Sequence, residues 1–279
     1  MLREKQLAFH ITTKCTLNCK LCVSMIPEFK IRGKAKHVPF EQVAAEIHAV
    51  FSIYDYIEDI TLSGGEPLLH PDLVKIIDTC MEYRQKFAHA RIFTNGTCLP
   101  SDALLCRLKQ FSPSLSLVID DYGTGVSDKT EAIVRLLKDN GLTCRINCYH
   151  GSNQHCGGWV DYGSPAIYRG YSETQLNDMY QHCHVAQYRC IGVYNGKMTN
   201  CCWGIFGKEL GYMPLPENEM QLIDLLDDTI SLEEKKQIAS DFGKKPLWAC
   251  QYCNGFDPES SQRYSAGIQI LYNDRKSGT

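Results

Sequence analysis

The chain has 279 residues, 44% apolar and 22% charged, with a formal net charge of −3, enough for one large α/β domain with a smaller module attached. That charge offers no footprint for nucleic acid; the one basic run, Lys30 to His37, reads as a solvated loop. No apolar run approaches the ~18 residues of a membrane span. "MLREKQLAFH" lacks a signal-peptide hydrophobic region, so a cytoplasmic protein with neither nucleic acid nor membrane as partner is expected.

Apolar runs and helical patterns alternate over the first 150 residues. "LAFHIT" (7–12) is a strand leading into "CTLNCKLC" (15–22). From Phe40, apolar residues at Val43, Ala44, Ile47, Val50 and Phe51 mark one helix face. Strands follow at 57–62, 90–96, 114–120 and 142–149, separated by helices near Pro71, from Ser101 and around Ile133–Leu137. Each return to a parallel strand needs a crossover, and right-handed crossovers curl such a sheet toward a barrel. The expected fold is α/β: a partial (β/α) TIM-like barrel of five to six parallel strands, spanning residues 1–170.

The pattern breaks after Tyr149. Residues 150–170 are rich in Gly, Ser and Asn, an irregular insertion. A helix is expected over Glu173–His182, then a hairpin over 188–203 around Asn195-Gly196, a dipeptide suited to a type I′ turn. Helices over Glu219–Leu226 and Leu232–Ala239 precede "WACQYC" (248–253). Residues 171–272 are thus expected to form a small hairpin-plus-helices module, and 273–279 a mobile tail.

Fifteen cysteines are the outlier. An odd count, a large domain and no export signal argue against a disulfide framework and for metal or iron–sulfur binding. Isolated ones, Cys80, Cys98, Cys106, Cys144 and Cys148, read as small buried hydrophobes. Cys15, Cys19 and Cys22 stand at the C-terminal end of strand one, where barrel loops gather into an active site. A structural zinc site wants four ligands, whereas three thiolates suit three corners of a [4Fe–4S] cube with one iron open. After strand two comes "LSGGEPLLHP" (62–71): Gly64 and Gly65 permit close backbone approach, and Glu66 can accept from a cationic amine.

Together, "CTLNCKLC" and "GGEP" (Gly64 to Pro67) resemble the radical S-adenosylmethionine (SAM) superfamily, whose signature is Cys-x3-Cys-x2-Cys after strand one and Gly-Gly-Glu-Pro after strand two. One departure is Leu21, where the family usually has an aromatic residue. The resemblance implies that Cys15, Cys19 and Cys22 hold a cluster whose open iron chelates the methionine amine and carboxylate of SAM, that Gly64–Glu66 steady the amine, and that one-electron reduction yields a 5′-deoxyadenosyl radical. Thr94, Asn95 and Asn147 lie near strand ends, where they can bond the SAM ribose or carboxylate; Asp120 and Asp121 can serve ribose or substrate. A flavodoxin- or ferredoxin-type reductant is the implied partner.

The later cysteines resemble the abbreviated SPASM ("twitch") module, which carries an auxiliary [4Fe–4S] cluster. Cys183, Cys201, Cys250 and Cys253 match its pattern; Cys190 and Cys202 are left over, with Cys202 an alternative to Cys201, and zinc is the alternative occupant. The spacing is similar to that in the dehydrogenase acting on 2-deoxy-scyllo-inosamine. The implied activity is a radical SAM oxidoreductase for a small-molecule alcohol, with peptide modification on a precursor peptide as alternative and a non-catalytic zinc protein as the remote one. Such a reaction needs a base or polarising cation. Tyr149, His150, His155, Cys156, Asp161 and Arg169 in and beside the insertion are the candidates.

Overall fold

The chain is represented by a computed structural model that describes residues 1–216 and 221–270. The expected tail over 273–279 lies outside the described residues. Along the chain run β1 (Arg3–Thr12), α1 (Ile26–Ile31), α2 (Phe40–Ile53), β2 (Tyr56–Gly64), α3 (Leu73–Met81), β3 (Phe87–Thr94), α4 (Asp102–Phe111), β4 (Leu115–Asp121), α5 (Thr130–Asp139) and β5 (Cys144–Cys148). Then come α6 (Glu173–His182), α7 (His184–Gln187), β6 (Ile191–Tyr194), β7 (Lys197–Thr199), α8 (Cys202–Leu210), β8 (Leu222–Asp224) and α9 (Leu232–Asp241).

The strands form one sheet in the order β5-β4-β3-β2-β1-β6-β7-β8. Neighbours from β5 to β6 are parallel, while β6–β7 and β7–β8 are antiparallel. Since β5 and β6 end opposite sides of the parallel run, the barrel stays open, a partial TIM-like α/β fold. Local chemistry places the helices: Ser101 accepts from the Leu104 N–H to cap α4, Ser172 and Gln175 form a capping box on α6, and Ser231 caps α9. Leu7, Phe9 and Ile11 of β1 are buried in the core shared with Val43, Ile47 and Val50 of α2. His10 and Thr12 therefore fall on the opposite, inner face of the strand. No helix among the described residues is long and apolar enough to cross a membrane.

Asn195 and Gly196 both take positive φ (50° and 80°), so the expected hairpin forms as β6 and β7. It is not set apart from the barrel, because β6 pairs in parallel with β1, Leu7 opposite Ile191. The described part of the helix expected over Glu219–Leu226 is instead β8, with Ile223 opposite Met198. "LIDLL" satisfies helical spacing, but the exposed edge of β7 offers ladder hydrogen bonds, and tertiary pairing overrides local preference.

Helix α2 is tied to the hairpin turn by Glu46, whose Oε1 accepts from the Gly196 N–H (2.6 Å) and from Gln42 Nε2 (3.1 Å). Burial pushes its carboxyl up to about 7 from 4.5. The folded state thus binds the proton more tightly than the unfolded chain, and stability falls as pH rises between those two values. Glu46→Gln keeps the acceptor and removes the buried charge. It is expected to be more stable than the parent at pH 8, by on the order of 1–3 kcal/mol, and close to it at pH 4.5. Urea unfolding at the two pH values checks this.

Candidate active site

All parallel strands end at one rim, where Thr12 leads into the cysteine loop, Gly64 into Gly65-Glu66, and Thr94 into Asn95. The glycine pair lets two backbones touch. The Gly65 N–H donates to the Thr12 carbonyl (2.7 Å) and the Glu66 N–H to that of Lys14 (2.9 Å). A Cβ at Gly64 would overlap the Thr12 carbonyl oxygen, and one at Gly65 that of Lys14. Close approach is required here by the neighbouring chain segment. Glu66 is fully buried; its oxygens accept from the N–H groups of Leu68 (3.0 Å) and Asn95 (2.8 Å), and burial raises its carboxyl to about 7. It thereby ties three strand ends together. Pro67 is buried as the first residue of a short 3-10 turn.

Asn95 donates to Cys15 Sγ (3.4 Å) and Gln269 Nε2 to Cys19 Sγ (3.1 Å). Gln269 belongs to a C-terminal segment laid along the cysteine loop: the Lys20 N–H donates to Ile268 O, the Ile270 N–H to Asn18 O (both 2.8 Å), and the Asn18 N–H to Gln269 Oε1 (2.7 Å). Burial pushes the Cys15 thiol up to about 11 and Cys19 to about 12, and raises Cys22. Such thiols ionise against a strong positive partner, which a bound metal supplies. Among the described residues no three His, Cys, Asp or Glu side chains converge as they would on a single metal ion. An iron–sulfur cube takes one thiolate per corner and needs them spread around a larger body.

A cavity of about 650 Å³ opens onto Cys15, Cys19 and Cys22, within the size range of small-ligand sites. Gly64, Gly65, Thr94, Asn95 and Asp120 form its strand-end wall. Asp120 accepts from Asn147 Nδ2 (2.8 Å), and burial raises its carboxyl to about 6. Asn147 does not line the cavity; held by Arg145 Nε (2.9 Å), it orients Asp120. Asp121 instead bonds Gly123 N–H, Thr130 and His150.

Of the residues proposed for substrate chemistry, Tyr149 lines the cavity, stacked on Tyr122 (5.4 Å between centroids), and Cys156 lines it at positive φ (52°). His155 packs edge-on to Tyr149 without reaching the cavity wall. The structure does not bring Asp161 or Arg169 there. Asp161 caps the Gly163 N–H (2.8 Å) beside a separate cleft, and Arg169 lies near Cys253, whose thiol burial pushes up to about 12 against a small opposing effect of the Arg169 charge. Sequence reasoning passed over His10, Trp159, Tyr162, His184 and Arg263, all on the wall. His10 had a legible signal, a polar residue on the inner face of β1; burial lowers it to about 4, and its Nε2 has no partner among the described residues.

Cys183, Cys201, Cys250 and Cys253 line a second, smaller cavity. Cys190 points elsewhere, accepting from Gln6 Nε2 (2.9 Å), and Cys202 packs by Gly192 at the start of α8. None of the fifteen cysteines is in a disulfide. Tyr162 forms a wall common to both cavities, tilted on Trp203 (5.6 Å).

Residues 9–153, more than half of the chain, match the Radical SAM superfamily. A GTP 3′,8-cyclase of Campylobacter lari is 29% identical over 146 residues, covering 50% of this chain and 42% of that protein. The chain thus spans less than half the length of this curated relative. Among solved structures, BtrN in complex with AdoMet and 2-DOIA superposes with a TM-score of 0.50 at 13% identity, over 94% of this chain and 97% of BtrN. SuiB of Streptococcus suis bound to its precursor peptide SuiA gives 0.54 at 15% identity, over 84% and 64%. These likenesses establish a shared fold. With the superfamily match spanning the cysteine triad and the Gly-Gly-Glu-Pro segment, the chain belongs to the radical SAM superfamily, enzymes that use SAM and a [4Fe–4S] cluster.

Proposed function

We propose that the chain is an oxidoreductase that removes hydrogen from a small-molecule substrate and carries two [4Fe–4S] clusters. The observation that carries this reading is that Cys183, Cys201, Cys250 and Cys253 line one cavity, separated by Tyr162 from the larger cavity at Cys15, Cys19 and Cys22. When bound, SAM and the first cluster supply a 5′-deoxyadenosyl radical, and the second cluster an electron acceptor. The chain's own residues do the rest. Gly64–Glu66 hold the cysteine loop against β2; Gly64 and Gly65 bring their backbone to the cavity wall where the SAM amine would sit, with Glu66 buried behind them, while Thr94 and Asn95 take its polar groups. Asp120, oriented by Asn147 and ionised above about pH 6, accepts a ribose hydroxyl or a substrate proton. Tyr122, Tyr149 and Trp159 exclude water. A flavodoxin- or ferredoxin-type protein supplies the electron.

The fold shared with peptide-bound SuiB supports a second reading, in which a precursor peptide is the substrate. Anaerobic reconstitution is expected to give about eight irons per chain, and the reduced protein to convert SAM to 5′-deoxyadenosine and methionine. Transfer of deuterium from labelled alcohols, and not from peptides, into 5′-deoxyadenosine supports the first reading. Failure to cleave SAM overturns both.

A further inference from the structure

Part of the cavity wall is built by His184, Phe256 and Arg263. The Arg263 guanidinium lies 4.8 Å over the Phe256 ring, and the His184 ring sits 4.9 Å from the same ring. Phe256 is thus a platform shared by both side chains on the cavity wall. Arg263 spends Nη2 on the Pro258 carbonyl (3.0 Å), while its Nη1 is buried without a hydrogen-bond partner; so is His184 Nδ1. No carboxylate of the described residues pairs with Arg263. A buried guanidinium N–H without an acceptor is costly in a folded protein. Neither nitrogen is open to water, so a ligand acceptor reaches it only by a turn of its side chain, and both side chains line the aromatic cavity through which such an acceptor can enter. An anionic group fits best, because a planar guanidinium matches carboxylate or phosphate oxygens and its charge is otherwise uncompensated.

We infer that Arg263 and His184 bind an anionic group, a carboxylate or a phosphoryl group, on the substrate. This rests on the reading of the cavity as the substrate site. The carbon skeleton would then meet Trp159 and Tyr149, which line the same cavity.

The test is calorimetric titration of the anaerobically reconstituted, SAM-bound holoenzyme with inorganic phosphate and, separately, with succinate, against chloride at matched ionic strength. At least one of the two is expected to saturate near one site per chain. Saturation by phosphate alone assigns a phosphoryl group, by succinate alone a carboxylate, and by both a shared anion site. Arg263→Gln is expected to weaken binding about tenfold or more and His184→Phe about threefold. Should Arg263→Gln fold poorly, Arg263→Lys carries the test: it keeps the charge but loses the fork, and a weakening of about threefold is expected. Equal affinity in parent and Arg263 variants, or saturation by neither anion, overturns the assignment. A parent enzyme that cleaves SAM but binds neither anion sinks this inference alone, whereas one that binds anions without cleaving SAM sinks the catalytic reading instead.

Discussion

Replacing Cys250 and Cys253 together by alanine is expected to halve bound iron, from about eight to about four per chain, and to lower substrate oxidation about 100-fold or more. Loss of second-sphere groups around metals already costs 10- to 100-fold, and these are direct ligands in the proposed site. SAM cleavage is expected to fall less than tenfold, since the first cysteine loop is held by contacts these residues do not make: Gly65 and Glu66 on one side, Asn95 and Gln269 on the other. Cys19→Ala has the opposite signature, with about four irons remaining and 5′-deoxyadenosine reduced to background. If both variants lose all iron, or if both cleave SAM alike, the two-site assignment fails. Iron and sulfide counts with product chromatography on anaerobic protein make the measurement. Cys202→Ala is the control: Cys202 packs by Gly192 instead of lining the second cavity, so iron stays near eight.

Much of the framework was legible from pattern alone. Apolar runs alternating with helical patterns located β1 to β5, and Ser101 marked a helix start that the structure caps with that same side chain. The resemblance to the SPASM module picked out Cys183, Cys201, Cys250 and Cys253, which meet at one cavity although 70 residues separate the outermost two. Other features depend on long-range contact. Pairing of β6 with β1 joins the hairpin to the barrel sheet, and only tertiary structure decides which edge a short strand finds. Gln269 lies in a segment without periodicity, yet it bonds Cys19 across 250 positions. Arg263 likewise gave no signal, whereas His10, though passed over, had one in the alternation along β1. Asp161 and Arg169 looked like cavity residues because the insertion follows β5. The chain carries them past the cavity, to a turn and to the second cysteine group.

Gly65→Ala is expected to destabilise the iron-free protein by about 3 kcal/mol and to prevent loading of the first cluster. At Gly65 the new methyl would meet the Lys14 carbonyl carbon at 2.7 Å and the Cys15 Cβ at 3.0 Å, and would overlap the Lys14 carbonyl oxygen. Backbone cannot rotate aside as a side chain does, so either β2 or the cysteine loop must move. Overpacking of this kind costs 1–3 kcal/mol or more, and the loss is borne by the two hydrogen bonds that hold the loop, Gly65 to Thr12 and Glu66 to Lys14. Displacing that loop moves Cys15 away from Asn95 and from its companions, so the thiols no longer share one cluster. Gly141→Ala separates this effect from the general cost of replacing a glycine. Gly141, unlike Gly65, has positive φ (70°), and nothing lies within 4 Å of its would-be Cβ, so only the left-handed backbone penalty of about 1 kcal/mol applies there. Urea unfolding of the iron-free variants measures the first quantity, and iron content after reconstitution the second. Gly141→Ala should retain about eight irons and Gly65→Ala about four. Equal stability losses with equal iron would show that the contact at Gly65 is relieved at no more than the cost of replacing an unhindered glycine, leaving the close packing of the two motifs without a role in building the site.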